Sequence, residues 1–146
     1  MIKILKAKVE DSEELRKLET KIWGEEVTNK YDLPEMIRFG YAYIAKDGKR
    51  IIGGIYADKT KDNRIYVYDW VVDEKYRREE IGEKLYKRLT SATKLPVITF
   101  LDPNNVPTIE AHKKMGFKIL RRVKNAYGKI KGLEGGYRLL VELNKK

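Results

Sequence analysis

Apolar residues recur along this chain in two rhythms, and the changes of rhythm mark its elements. Ile2 to Val9 alternates and predicts a first strand. Asp11 or Ser12 then caps a helix with Glu13 and Glu14 in its first turn, and Leu15, Leu18 and Ile22 give it an apolar stripe that ends near Trp23-Gly24. Gly24 to Asp32 reads as a polar loop, and Pro34 suits the first turn of a second, short helix carrying Met36, Ile37 and Phe39. Tyr41 to Lys46 and Arg50 to Ala57 flank Asp47-Gly48, a hairpin signal. Gly53-Gly54 inside the second of these strands predicts a bulge or a close backbone approach. Asp58 to Arg64 is a polar turn.

Ile65 to Val72 is apolar on both faces apart from Asp69, which predicts a central strand covered on two sides. A polar connection, Asp73 to Tyr76, and the turn Arg77 to Gly82 lead into a helix with Ile81, Leu85 and Leu89 in step. Pro96 introduces a short strand, Val97 to Leu101, and Asp102-Pro103-Asn104-Asn105 is a break and a cap. Pro107 fits the first turn of a fourth helix ending at Gly116. Phe117 to Lys124 is a strand, Asn125 to Gly136 a loop, and Tyr137, Leu139, Val141 and Leu143 alternate in a last strand. The order β-α-α-β-β-β-α-β-α-β-β is α+β. No repeat, linker or low-complexity block interrupts it, so residues 1–146 read as one domain.

Composition narrows the chemistry. With no cysteine there is neither a disulfide nor a thiolate ligand, and a single histidine argues against a histidine-based metal site. No apolar run approaches the roughly 20 residues of a membrane span, and no secretory signal opens the chain, so the expected location is the cytoplasm. The net charge of +10 lies wholly in the second half. From Ala111 to Leu133 there is no acid, but Lys113, Lys114, Lys118, Arg121, Arg122, Lys124, Lys129 and Lys131 are basic. Such asymmetry predicts an anionic partner. A phosphate-bearing cofactor suits it, and so does nucleic acid. The sequence leaves a homodimer open.

Two stretches carry candidate chemistry. A helix that starts just past a strand aims free backbone N–H groups at whatever lies there, and phosphate is the usual occupant. In Val72 to Gly82 this spacing resembles the acyl-CoA loop of the GNAT superfamily of N-acyltransferases, matched at Val72, Arg77 and Gly82. Glu80 departs from the pattern, since it stands where the first glycine lets backbone approach the pyrophosphate. The second stretch, Asn105 to Phe117, resembles the superfamily's second signature: Asn105 opens a helix, His112 follows seven residues later, and Gly116-Phe117 end it. The element order is also that of the GNAT fold, a mixed central sheet of about seven strands with about four helices on its faces.

The resemblance implies an N-acetyltransferase, an acyltransferase that moves acetyl from acetyl-CoA to a primary amine by direct attack. It implies that Arg77, Arg78, Ile81, Gly82 and Glu83 present amides and charge to the pyrophosphate, that Asn105 caps the fourth helix near the pantetheine arm, and that His112 manages the thiol proton. No metal is implied. The alternative is a non-catalytic module on the same scaffold that binds nucleic acid through its basic half.

The residues also speak for themselves. Thr108, Ala111, His112 and Met115 are spaced to put His112 on an inward stripe, where it is either a hydrogen-bonded core residue, an acid or a base. Amine acylation needs a base for the ammonium proton and a donor where the thioester oxygen becomes negative. A backbone N–H near Val71 or Val72 suits the second need. Asp69, a lone carboxylate in an apolar strand, suits the first or is a paired structural acid. Glu25, Glu26 and Asp32 are candidates to hold a cationic acceptor, or they form a solvated loop.

Overall fold

The computed structural model describes residues 1–129 and 136–144; Lys131 and half of the loop before the last strand lie outside the described residues, as does the side chain of Arg78. Seven strands follow the order β1-β2-β3-β4-β5-β7-β6. They are β1 (Ile2–Lys6), β2 (Tyr41–Asp47), β3 (Arg50–Lys59), β4 (Ile65–Val72), β5 (Val97–Leu101), β6 (Lys118–Lys124) and β7 (Tyr137–Leu143). Four α-helices accompany them: α1 (Ser12–Trp23), α2 (Asp32–Phe39), α3 (Ile81–Ser91) and α4 (Val106–Lys114). The α+β class and the element order are those the residue pattern predicts.

The chain forms two compact units, Met1–Thr60 with Val67–Lys94, and Lys61–Tyr66 with Leu95–Lys146. In the first, β1, β2 and β3 pair antiparallel. The β2–β3 hairpin closes through Gly48-Lys49, and the positive φ of Gly48 (60°) is what a two-residue turn matched to strand twist demands of its first central residue. Leu15, Leu18, Leu33 and Ile37 from α1 and α2 are buried with Ile44, Ile51 and Val71 in one apolar cluster, each side chain contributing about 1.5–3 kcal/mol of burial.

The Gly53-Gly54 pair has a plain packing reason. Successive strand residues face opposite sides. A Cβ on Gly53 would meet Leu85 and Ile81 of α3 at 3.3 and 3.6 Å, and one on Gly54 would meet Leu15 of α1 at 2.6 Å. Both helices therefore lie directly against the β3 backbone, one on each face. The register shift falls opposite, between Ala45 and Lys46.

Two expectations need correction. The first strand stops at Lys6, and Val9–Asp11 forms a 3-10 turn. Asp11 makes no side-chain cap to α1; its carboxylate accepts the Lys8 N–H at 2.8 Å. β4 is also less evenly covered than its composition suggests. Ile65, Val67, Asp69 and Val71 form its buried face, whereas Tyr66, Trp70 and Val72 are half-buried and Tyr68 is exposed.

In the second unit, Ile65 and Tyr66 pair parallel with Val97 and Ile98 of β5. β7 pairs antiparallel with β5 and β6. β6 is exposed along most of its length, including Arg121, Arg122 and Lys124. No helix is long and apolar enough to cross a membrane among the described residues.

Candidate active site

The turn after β4 is built by acids that tie it down. Asp73 is buried and accepts the Lys75 N–H at 3.1 Å and Arg50 Nη2 at 3.2 Å, with Lys21 Nζ 3.6 Å away. Burial pushes its carboxyl up, but the Lys75 N–H, Lys21 and Arg50 together hold it below the usual carboxylate range. Tyr76 donates its hydroxyl to Asp47 at 2.7 Å across the β2–β3 hairpin. Arg77 is exposed, and its Nε donates to the Val72 carbonyl at 3.3 Å, so the turn is fastened to the strand it leaves.

Residues Glu74–Glu79 wind as a 3-10 helix, and Glu80 then takes the left-handed conformation (φ 58°, ψ 22°) before α3 starts at Ile81. That explains why a glycine would suit position 80: a residue with a Cβ is strained there by about 1–2 kcal/mol. The Glu80 side chain is exposed and makes no cap hydrogen bond to α3. Its carbonyl accepts the Lys84 N–H at 3.1 Å.

Gly82 is required for a different reason. The Trp70 indole lies against it, so that an added Cβ would sit 2.7 Å from the ring, and Trp70 Nε1 donates to the Gly82 carbonyl at 3.0 Å. Tyr86 packs edge-on to the same indole at 4.9 Å. β4 thus sets where the first turn of α3 begins, and Ile81, Leu85 and Leu89 bury its inner face. Glu83 stands in this first turn.

On the opposite face of β4 is a carboxyl cluster. Asp69 is not a lone acid. Its Oδ1 accepts Trp23 Nε1 at 3.2 Å and the Trp70 N–H at 2.9 Å, while its Oδ2 is buried without a donor among the described residues. Glu19, 1% exposed, lies one turn before Trp23 on the same face of α1. It accepts the Tyr56 hydroxyl at 2.5 Å and the Thr28 hydroxyl at 3.2 Å. Burial, and then Glu19, push the Asp69 carboxyl well above the usual range. Burial, and then the Glu19 charge, also raise the Tyr56 phenol, which stays protonated.

Of the proposed acceptor-holding acids, Glu26 is paired with Arg16, and Asp32 accepts the Asn29 side-chain amide at 2.8 Å. Glu25 is exposed, as are Trp23, Val27 and Tyr31 nearby in sequence.

In the second unit, Asn105 caps α4 by accepting the Thr108 N–H at 3.2 Å. His112 is buried, and its Nδ1 lies 2.8 Å from the Thr108 carbonyl. A carbonyl only accepts, so Nδ1 carries the hydrogen and Nε2 is the basic nitrogen of the neutral ring. Burial lowers the His112 pKa and favours that neutral form. Phe117 packs edge-on to the imidazole at 5.0 Å. Of the expected inward stripe only His112 is fully buried; Thr108, Ala111 and Met115 are half-buried. Among the described residues no group of His, Cys, Asp or Glu is arranged to hold a metal ion.

The first unit thus carries a strand, a tied basic turn and a helix packed down onto that strand's tryptophan. Residues 11–117 match the model of the acetyltransferase (GNAT) family, and the chain belongs to that family of enzymes. Comparison of the sequence with curated proteins gives no match. Solved structures with the same fold include Naa50 of Arabidopsis thaliana, in complex with the bisubstrate analogue CoA-Ac-MVNAL (21% identity, 97% of each chain, TM-score 0.77). The ribosomal-protein-S18-alanine N-acetyltransferase of Escherichia coli aligns at 14% identity over 98% of this chain and 93% of its own, with TM-score 0.82. An aminoglycoside 6'-acetyltransferase type Ii aligns at 19% over 99% and 97%, with TM-score 0.81.

Proposed function

We propose that the protein transfers the acetyl group of acetyl-CoA to a primary amine by direct attack. The observation that carries this reading is the pairing, on one strand, of the tied turn after Val72 with the buried carboxyl of Asp69. Three residues separate them, about 10 Å of extended chain. The family's own chemistry supplies the acetyl donor. Direct attack by the amine is what the family resemblance implies, and the chain has no cysteine to carry an acyl thioester.

In this reading the amides of Ile81, Gly82 and Glu83, with Arg77, face the pyrophosphate. A backbone N–H at Val71 or Val72 meets the thioester oxygen as it becomes negative. Asp69 takes the ammonium proton. The family resemblance assigns Asn105 to the start of α4 near the pantetheine arm and His112, neutral with a basic Nε2, to the thiol proton. Glu25 and Glu26, in the segment after α1, and Asp32, which opens α2, would set acceptor preference. Two structural neighbours, one holding the analogue CoA-Ac-MVNAL and one an aminoglycoside acetyltransferase, span very different amines. The acceptor class is therefore left to a screen.

Calorimetric titration with acetyl-CoA, followed by thiol release over a panel of peptide, polyamine and aminoglycoside amines, tests the reading. Heat of binding and amine-dependent thiol are expected; no stabilisation at millimolar acetyl-CoA would overturn it. His112→Phe should slow thiol release about 10²-fold without loss of fold, and unchanged turnover would remove the histidine from the chemistry. Glu80→Gly should relieve the left-handed strain, raising stability by about 0.5–1 kcal/mol, and tighten acetyl-CoA severalfold by removing a carboxylate from beside the phosphates. Weaker binding in this variant would show that the turn does not hold the anion.

A further inference from the structure

We propose that Glu19 and Asp69 form one carboxyl pair that keeps a single shared proton near neutral pH, and that this pair, not Asp69 alone, is the base that receives the acceptor's proton once the shared proton has left. The base role rests on the acetyl-transfer reading above; the shared proton does not.

Two acceptor-only side chains, Glu19 and Asp69, are both buried. Asp69 Oδ1 is taken by two N–H donors, and both Glu19 oxygens accept hydroxyls, from Tyr56 and Thr28. Asp69 Oδ2 remains, more than nine-tenths buried with its residue and with no donor among the described residues. The neighbouring carboxyl is that of Glu19, which stands one helical turn before the Trp23 that bonds Asp69 and is itself buried and bonded to Tyr56. An oxygen can bond to another carboxylate only through a proton between them.

Among the described residues the surroundings offer the pair neutral N–H and O–H donors. The groups that face the pair are Trp23 from α1, Thr28 from the loop that follows, Tyr56 from β3 and the Trp70 N–H from β4 itself. None is cationic, and among the described residues no lysine or arginine forms an ion pair with either acid. Two buried carboxylates without a counter-ion cannot both ionise near neutral pH.

This matters for the reaction because a base works best when its proton affinity approaches that of the group it deprotonates. A solvated carboxylate is far too weak a base for an ammonium; the ionised pair is much stronger. In the step proposed, R–NH3⁺ gives one proton to the ionised pair and becomes R–NH2. The nitrogen lone pair forms the C–N bond at the thioester carbonyl carbon, and the C–S bond breaks as its electrons go to sulfur. The second nitrogen proton completes the thiol. The pair then releases its proton to solvent beside Trp23, whose indole is half-exposed. The sum is one ammonium and acetyl-CoA in, one amide, one thiol and one proton out.

Glu19→Gln separates this from a structural acid. The glutamine amide can donate to Asp69 Oδ2 and the neighbouring charge is gone, so Asp69 becomes a weaker base that burial alone still raises. The carboxyl carbons of Glu19 and Asp69 are followed by 13C NMR in the ligand-free protein from pH 4 to 10. In the wild type one proton is expected to stay on the pair past pH 7. In Glu19→Gln, Asp69 is expected to ionise at least one pH unit lower. The rising limb of kcat/KM against pH, measured with acetyl-CoA and the best amine of the panel, should move down in pH with it, and the plateau at high pH should fall. Two fully ionised carboxyls at pH 7 in the wild type would overturn the pair whether or not the variant folds. An unmoved kcat/KM profile in Glu19→Gln would overturn its part in the chemistry. A shared proton in a protein that releases no thiol with any amine would sink the acetyl-transfer reading and the base role, and leave only the pair.

Discussion

Asp69→Asn should lower amine-dependent thiol release by about 10²-fold or more and at the same time flatten the protein's response to pH. The two effects have one cause. The Asp69 carboxyl is raised by burial and by Glu19, so between the ordinary carboxylate value of about 3.9 and its folded value the native state holds a proton that the unfolded chain has lost. Over that window unfolding free energy falls as pH rises, by up to about 1.4 kcal/mol per unit. The stabilisation is complete below pH 4 and is gone once pH passes the raised folded value. The asparagine side chain of the variant does not titrate, and its amide can donate to Glu19. Urea unfolding at pH 5, 7 and 9 should therefore show a shallower decline for the variant than for the wild type, and greater stability at pH 9. A variant that lost activity and stability equally at every pH would mean that Asp69 is merely part of the core.

Gly82→Ala should cost about 1–3 kcal/mol, a Tm lower by about 2–12 °C for a chain of this size, and should weaken acetyl-CoA binding. Alanine is ordinarily a better helix residue than glycine, so helix propensity predicts the reverse. The loss comes from the Trp70 ring, 2.7 Å from where the Cβ would go. The indole has little freedom to retreat, being bonded to the Gly82 carbonyl and packed against Tyr86. Trp70→Phe removes the overlapping part of the ring, so adding Gly82→Ala to that background should cost much less. Equal cost in both backgrounds would refute the contact as the reason for the glycine. Because the first turn of α3 is positioned by this same contact, calorimetry with acetyl-CoA should show affinity following stability across the cycle.

Much of this was legible in the chain. Glycines and prolines placed the element ends: Gly24 stops α1 in the left-handed conformation, Gly48 turns the hairpin, and Pro107 opens α4 behind its Asn105 cap. These depend on a residue and its nearest neighbours, which a sequence displays. The carboxyl pair was half legible. Glu19 falls on the apolar stripe of α1, at the same spacing as Leu15, Leu18 and Ile22, and that intrusion was the available signal. Asp69 stood out in its strand. What joins them is the packing of α1 against β3 and β4, separated by 50 residues of chain from one acid to the other.

The sequence by itself determined the order of strands and helices, the basic turn after Val72 and the presence of one histidine on a helix. Periodicity, capping and turn chemistry act over a few residues, and so they are written along the chain. Only the tertiary structure decided that Gly82 answers to Trp70, that Asp73 anchors the turn through Lys21 and Arg50, and that Asp69 shares its pocket with a second acid. Those are consequences of which faces are pressed together, and burial gives a pair of charges its weight only once water has been excluded from around it.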